Sequence, residues 1–146
     1  MSGVYSEGGC LLYPELAEVG DIDNAIVNLK FANGAIGDIE ISRSGIYGYD
    51  IRTEIVGTEG SLLIGKLQQT DTLFLRPNNI SHDTIPGFME RFADAFAAEI
   101  ADFATTIQED RETVVGAADA RAATAIGVAA TLSLDERRIV LINEVD

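Results

Sequence analysis

One stretch of this 146-residue sequence gathers side chains that can do chemistry together: Ser42, Arg43, Ser44, Tyr47, Tyr49, Asp50 and Arg52, with Gly45 and Gly48 between them. Serine and tyrosine hydroxyls both donate and accept hydrogen bonds, a guanidinium only donates, and an ionised carboxylate only accepts. A set holding all three kinds suits a polyol, whose hydroxyls present donors and acceptors around a small ring. The same residues also read as a strand pair with tyrosines packed on its rim. Taken alone they leave both readings open.

The other reactive groups are sparse. His82, between Ser81 and Asp83, has the side chain for a general base near neutral pH. No serine or cysteine nucleophile with its own motif pairs with it, so it reads as a solvated residue of a polar loop, and a small hydrolase using His82 and a carboxylate is the weakest reading. Cys10 has no second cysteine for a disulfide and no basic neighbour to favour a thiolate, so it reads as a small hydrophobe. One cysteine and one histidine cannot build a Cys/His zinc cluster, and such cysteine use fits a reducing cytosol. The acidic residues are dispersed without a calcium-loop pattern, so no metal site is expected.

Glycine pairs at Gly34–Gly37, Gly45–Gly48 and Gly57–Gly60 invite comparison with phosphate loops. A dinucleotide fingerprint must lie between a strand and a helix N-terminus, where backbone N–H groups meet the pyrophosphate. None of these three precedes a helical pattern, and each reads as a hairpin turn. With 24 acidic against 10 basic residues the net charge is −14, which repels phosphate backbones and anionic lipid. No apolar run approaches the roughly 20 residues needed to span a bilayer. Neither nucleic acid nor membrane is expected as a partner, and the cytoplasm is the expected location.

The elements that must position the cluster follow from periodicity. A hydrophobic content of 47% with 23% charged residues is that of a folding globular chain. Ala25, Val27, Leu29 and Phe31 alternate with polar Asn28 and Lys30 and predict a half-buried strand. Ala32-Asn33-Gly34 then predicts a tight hairpin into a strand through Ile36 to Ile41. Further strands are expected over Tyr49–Val56, Ser61–Ile64, Thr72–Leu75 and Arg138–Ile142, with an edge strand from Val4 to Glu7 and from Cys10 to Leu12. From Phe88 the period lengthens: Phe88, Phe92, Phe96, Ile100, Phe103 and Ile107 mark one amphipathic helix. An alanine-rich helix from about Ala117 to about Leu134 follows, with Gly116 as N-cap and Asp119 in its first turn.

Strands, then two helices, then a strand predict an α+β domain: an open-faced, mostly antiparallel β-sheet with two helices packed on one face. Ile26, Ile36, Val56 and Tyr47 are candidates for the uncovered face, and apolar residues on such a face mark a subunit interface. Without repeats or linkers, residues 1–146 are expected to form a single domain.

The run Tyr47 to Gly60, preceded by Phe31-Ala-Asn-Gly-Ala-Ile-Gly37 and followed by Phe88 to Ile100, resembles the C-terminal domain of the glucose–fructose oxidoreductase/inositol dehydrogenase family, and within it the inositol 2-dehydrogenase branch. The similarity covers about Val4 to about Ile142. It implies a two-domain NAD- or NADP-dependent dehydrogenase whose second domain holds a sugar or cyclitol and builds a homo-oligomer. By the same resemblance Tyr49 is a substrate contact, and Tyr47, Asp50 and Arg52 are weaker candidates that shape the pocket. The family's nucleotide fingerprint, its E-K-P segment with the catalytic lysine and its D-x-x-x-H pair are missing from this sequence. The expectation is therefore a carboxy-terminal substrate-binding and oligomerisation part that carries no catalytic residue, binds no cofactor itself and is inactive alone. The alternative is a stand-alone interaction module using the open sheet face.

Overall fold

The structure, a computed structural model, describes residues 1–145. In chain order its strands and helices are β1 (Gly3–Gly9), β2 (Asn24–Lys30), β3 (Ile36–Ser42), β4 (Thr53–Gly57), β5 (Gly60–Ile64), β6 (Leu73–Arg76), β7 (Asn79–His82), α1 (Phe88–Glu109), α2 (Ala117–Glu136) and β8 (Val140–Leu141). The chain divides into two compact units: residues 1–44 with those from 112 onward, and residues 45–111. Antiparallel sheets and two long helices give the expected α+β class. The strands are shared among three sheets rather than joined in one.

In the first unit, four antiparallel strands run in the order β3-β2-β1-β8, with α2 against β1. The alternation in β2 sets the faces as period two requires: Val27 is buried with Val4, Val140 and Ala129, and Leu29 packs beside them. On α2 the buried positions are Ala125, Ala129 and Ser133, each four residues from the next, so small side chains let helix and strand come close. Gly116 caps α2 as expected, its N–H donating to the Asp119 carboxylate at 2.9 Å.

Two strand expectations in this unit are corrected. The amino-terminal strand is no edge: β1 lies between β2 and β8, and it ends at Gly9, leaving Cys10 to Leu12 in a loop. That loop is fixed by Asp23, a carboxylate 1% exposed that accepts the N–H groups of Leu11, Leu12 and Tyr13 at 2.7–2.8 Å. Burial pushes the Asp23 carboxyl upward, but these three amides and the Asn24 side chain outweigh it and hold it well below the usual carboxylate range. The final strand shrinks to Val140–Leu141 because Arg137, at φ 54°, ends α2 late and a 3₁₀ turn begins at Ile142. The hairpin after β2 turns at Ala32-Asn33-Gly34, as expected. Phe31 and Ala35 are bonded across it, and Gly34 alone takes positive φ, which makes a three-residue loop with a left-handed glycine.

The face of this sheet turned from α2 carries Ile26 and Ile36, as expected, with Leu141 from β8; all three are at least half exposed. Tyr5, Asn28, Lys30, Ile36, Asp38 and Leu141 line a hollow of about 630 Å³ there. Val56 and Tyr47 do not join that face: Val56 belongs to β4 and Tyr47 to the loop before it, both in the second unit.

The second unit consists of the hairpins β4/β5 and β6/β7 and the helix α1. The strand expected from Tyr49 starts only at Thr53, because the Tyr49 N–H leaves the ladder direction and donates to the Ile85 carbonyl at 2.7 Å. β7 was not legible by alternation, since Ile80 is its single apolar residue; Pro77 and Asn78, the latter at φ 60°, turn the chain into it. Asp83 ties the end of β7 to Thr70, accepting from its hydroxyl at 2.7 Å and its amide at 3.2 Å. α1 begins at Phe88 after Gly87, as the periodicity predicts, and Ile100, Phe103 and Ile107 on its apolar stripe are exposed.

Candidate functional site

The cluster forms on the irregular segment that enters β4. A turn closes when the Gly48 N–H donates to the Gly45 carbonyl at 3.2 Å. Gly48 has φ +130°, a conformation side chains rarely adopt, and it lies flat against Thr84 and Ile85. The Tyr49 amide then bonds to Ile85, and the Tyr49 ring meets Phe88 at 6.5 Å and Phe92 at 6.3 Å between centroids, the second edge-on. From α1, Arg91 Nη2 donates to the Ile51 carbonyl at 3.3 Å.

Asp50 is the hub of the polar groups. Arg52 Nε donates to its two carboxylate oxygens at 3.0 and 3.1 Å, and Arg52 Nη2 lies 2.9 Å from Oδ2. The Tyr47 hydroxyl donates to the same Oδ2 at 3.1 Å. The Asp50 side chain is only 11% exposed, while that of Arg52 is 51% exposed. Asp50 is thus committed to its neighbours: both carboxylate oxygens accept from them, and it orients the groups around it. The Tyr47 hydroxyl is held as a donor to Asp50. Arg52 keeps further N–H donors. The Tyr49 hydroxyl has no hydrogen-bond partner among the described residues, so it is available both to donate and to accept.

All four sequence candidates, Tyr47, Tyr49, Asp50 and Arg52, lie in the second unit, and a hydrogen-bonded chain joins three of them. Ser42, Arg43 and Ser44 belong to the first unit, where the serine hydroxyls bond to each other at 2.8 Å and Arg43 pairs with Asp21 at 3.6 Å. His82 ends β7 instead of lying in a loop; it is exposed, with Nδ1 beside the Asp83 carbonyl at 2.5 Å. The carboxylate beside it is taken by Thr70, whose hydroxyl and amide hold the Asp83 carboxyl below its ordinary range, so no His–Asp dyad forms there. Cys10 Sγ contacts the Asp21 carbonyl at 3.2 Å. Reading the sequence missed Ile85 and Arg91. Arg91 stood in view within Arg91-Phe92, but the helical period accounts only for its apolar neighbours.

Gly34–Gly37 leads into β3 and Gly57–Gly60 into β5, while the turn at Gly45–Gly48 leads into the loop carrying Tyr49, and none opens a helix. Among the described residues no group of three or more His, Cys, Asp or Glu is placed to hold a metal ion, and no helix is long and apolar enough to cross a membrane.

Comparison with known proteins gives a consistent picture. The oxidoreductase family, C-terminal alpha/beta domain, matches residues 11–142. The chain is 38% identical over 133 residues to scyllo-inositol 2-dehydrogenase (NAD(+)) of Bacillus subtilis strain 168, covering 91% of this chain and 39% of that protein. Its fold superposes on a probable dehydrogenase from Thermotoga maritima with a TM-score of 0.92 at 31% identity, covering 99% of this chain and 44% of the other. It also superposes on scyllo-inositol dehydrogenase from Lactobacillus casei with bound NAD(H) and scyllo-inositol, with a TM-score of 0.84 at 26% identity, covering 97% and 42%. The chain spans about two-fifths of the length of the curated relatives it matches.

Proposed function

Given that the chain belongs to the oxidoreductase family as its C-terminal alpha/beta domain, we propose that residues 1–146 form one domain that holds a polyol and builds the assembly of a longer NAD- or NADP-dependent dehydrogenase. Its substrate is myo-inositol or a related sugar or cyclitol. The reading of a stand-alone interaction module gives way, because dehydrogenases match nearly the whole chain.

One observation carries the substrate reading: a hydroxyl that can donate and accept and a guanidinium that donates stand on one short segment. The unpartnered Tyr49 hydroxyl and the remaining N–H donors of Arg52, with Tyr47 and Arg52 both held by Asp50, match a ring of hydroxyls that both donate and accept. Asp50 touches no polyol; it orients Tyr47 and Arg52. The nicotinamide, when bound, supplies the hydride acceptor, and residues outside this chain hold it. What these residues contribute is binding and orientation of the reacting carbon, which lowers the entropic part of the barrier. The homo-oligomer forms through the sheet face carrying Ile26, Ile36 and Leu141, and the enzyme works in the cytoplasm.

Replacing Tyr49 by Phe in the full-length enzyme removes one hydroxyl and keeps the ring on Phe88 and Phe92. The KM for myo-inositol should rise about tenfold, with the KM for the nucleotide unchanged. An unaltered inositol KM would remove Tyr49 from the site.

A further inference from the structure

Tyr49 is held by more than its own loop. Its ring rests on Phe88 and Phe92, and two residues further on the Ile51 carbonyl accepts from Arg91 Nη2 at 3.3 Å. Phe88, Arg91 and Phe92 stand three and four residues apart on the first turns of α1, so a single helix face reaches both the ring and the backbone of the segment. On the opposite flank the Tyr49 amide is fixed to Ile85 at 2.7 Å. Asp50 thus sits between two backbone anchors.

Arg91 is unlike the chain's other site arginine. Arg52 faces a carboxylate, whereas the side-chain hydrogen bond of Arg91 goes to a peptide carbonyl, and its Nε is buried with no partner among the described residues. Its guanidinium carbon lies 5.2 Å from the centre of the Phe92 ring, the ring that Tyr49 also touches. A planar cation that packs on this ring while donating sideways to Ile51 couples the aromatic seat of Tyr49 to the path of its backbone.

We infer that Arg91 is a positioning residue for the polyol site, clamping the Tyr49–Ile51 segment onto α1 so that the Tyr49 hydroxyl is presented at a fixed place. This rests on the reading of Tyr49 as a polyol contact. Arg91 itself touches no substrate. Its loss frees the segment, so the cost falls on capture of the polyol and spares both the nucleotide and the fold.

The test is a set of variants in the full-length enzyme. Arg91→Met should raise the KM for myo-inositol about five- to tenfold, leaving kcat within about twofold and the nucleotide KM unchanged, the signature of lost ground-state binding. Arg91→Lys, which restores a donor without the planar stack, should fall between Arg91→Met and the parent. The double variant Arg91→Met with Tyr49→Phe should lose less than the product of the two single effects, because part of what the clamp presents is already gone. In the 146-residue chain, amide exchange at Tyr49 should quicken about tenfold in Arg91→Met. An unchanged inositol KM or unchanged Tyr49 exchange in Arg91→Met would overturn the proposal, as would multiplication of the two single effects. If Arg91→Met fails to fold, the same readouts on Arg91→Lys decide. A silent Tyr49→Phe would instead defeat the underlying assignment and this proposal with it, whereas an active Tyr49→Phe beside a silent Arg91→Met would defeat this one alone.

Discussion

A methyl group added at Gly48 would lie 2.5 Å from the Ile85 carbonyl oxygen and 3.0 Å from Thr84 Oγ1, on a backbone at φ +130°. The first contact is with backbone, so one of the two segments must move, and the moving parts carry Tyr47 and Tyr49. Gly48→Ala should therefore cost about 1–3 kcal/mol of stability, read by urea unfolding, and raise the inositol KM of the full-length enzyme more than Gly45→Ala does. Equal stability and kinetics in the Gly48 and Gly45 variants would show that the close approach is not needed. At this scale the polar cluster was legible where it was contiguous: tyrosine, aspartate and arginine stand close together in sequence, and Asp50 bonds to both Tyr47 and Arg52. Their supports were not legible. Ile85 and Arg91 meet the segment across a long separation through a carbonyl and a guanidinium, and neither contact leaves a periodic trace.

Between elements, Ser133 does what the short β8 does not. Fully buried on α2, its hydroxyl donates to the Arg138 carbonyl at 2.5 Å and accepts the Ser6 N–H of β1 at 3.0 Å. β8 pairs only with Gly3 and Val4, so this one side chain takes the place of the next ladder pair. Ser133→Ala would leave a buried donor and an acceptor unpaired, and should destabilise the chain by about 1–3 kcal/mol, measured by urea denaturation; a loss below about 0.5 kcal/mol would show that water replaces the hydroxyl. Strands with alternation, β2 and β3, and helices with a clear period were legible to within a few residues. What escaped depended on tertiary hydrogen bonds: the central place of β1, set by pairing on both sides, and the delay of β4 to Thr53, set by the Tyr49 amide bonding elsewhere. β7 escaped because one isoleucine among polar residues offers no pattern.

For the whole chain, composition and order of elements were enough to reach the α+β class, and the family followed from the run between Tyr47 and Gly60. The division into two units was not legible, because no linker or shift of composition marks residues 45 and 111. The net charge of −14 bears on partners and not on fold, and it leaves a small neutral polyol as a more compatible ligand than a polyphosphate. That is consistent with glycine turns that open onto strands and loops, and with the proposal that this chain grips and assembles while the redox chemistry belongs to residues outside it. The most direct measurement of that division of labour is NADH formation by the purified 146-residue chain given NAD+ and myo-inositol, beside the full-length enzyme under the same conditions. The full-length enzyme should turn over and the chain alone should give no NADH above the buffer rate, whereas sustained NADH production by the chain alone would contradict the proposal.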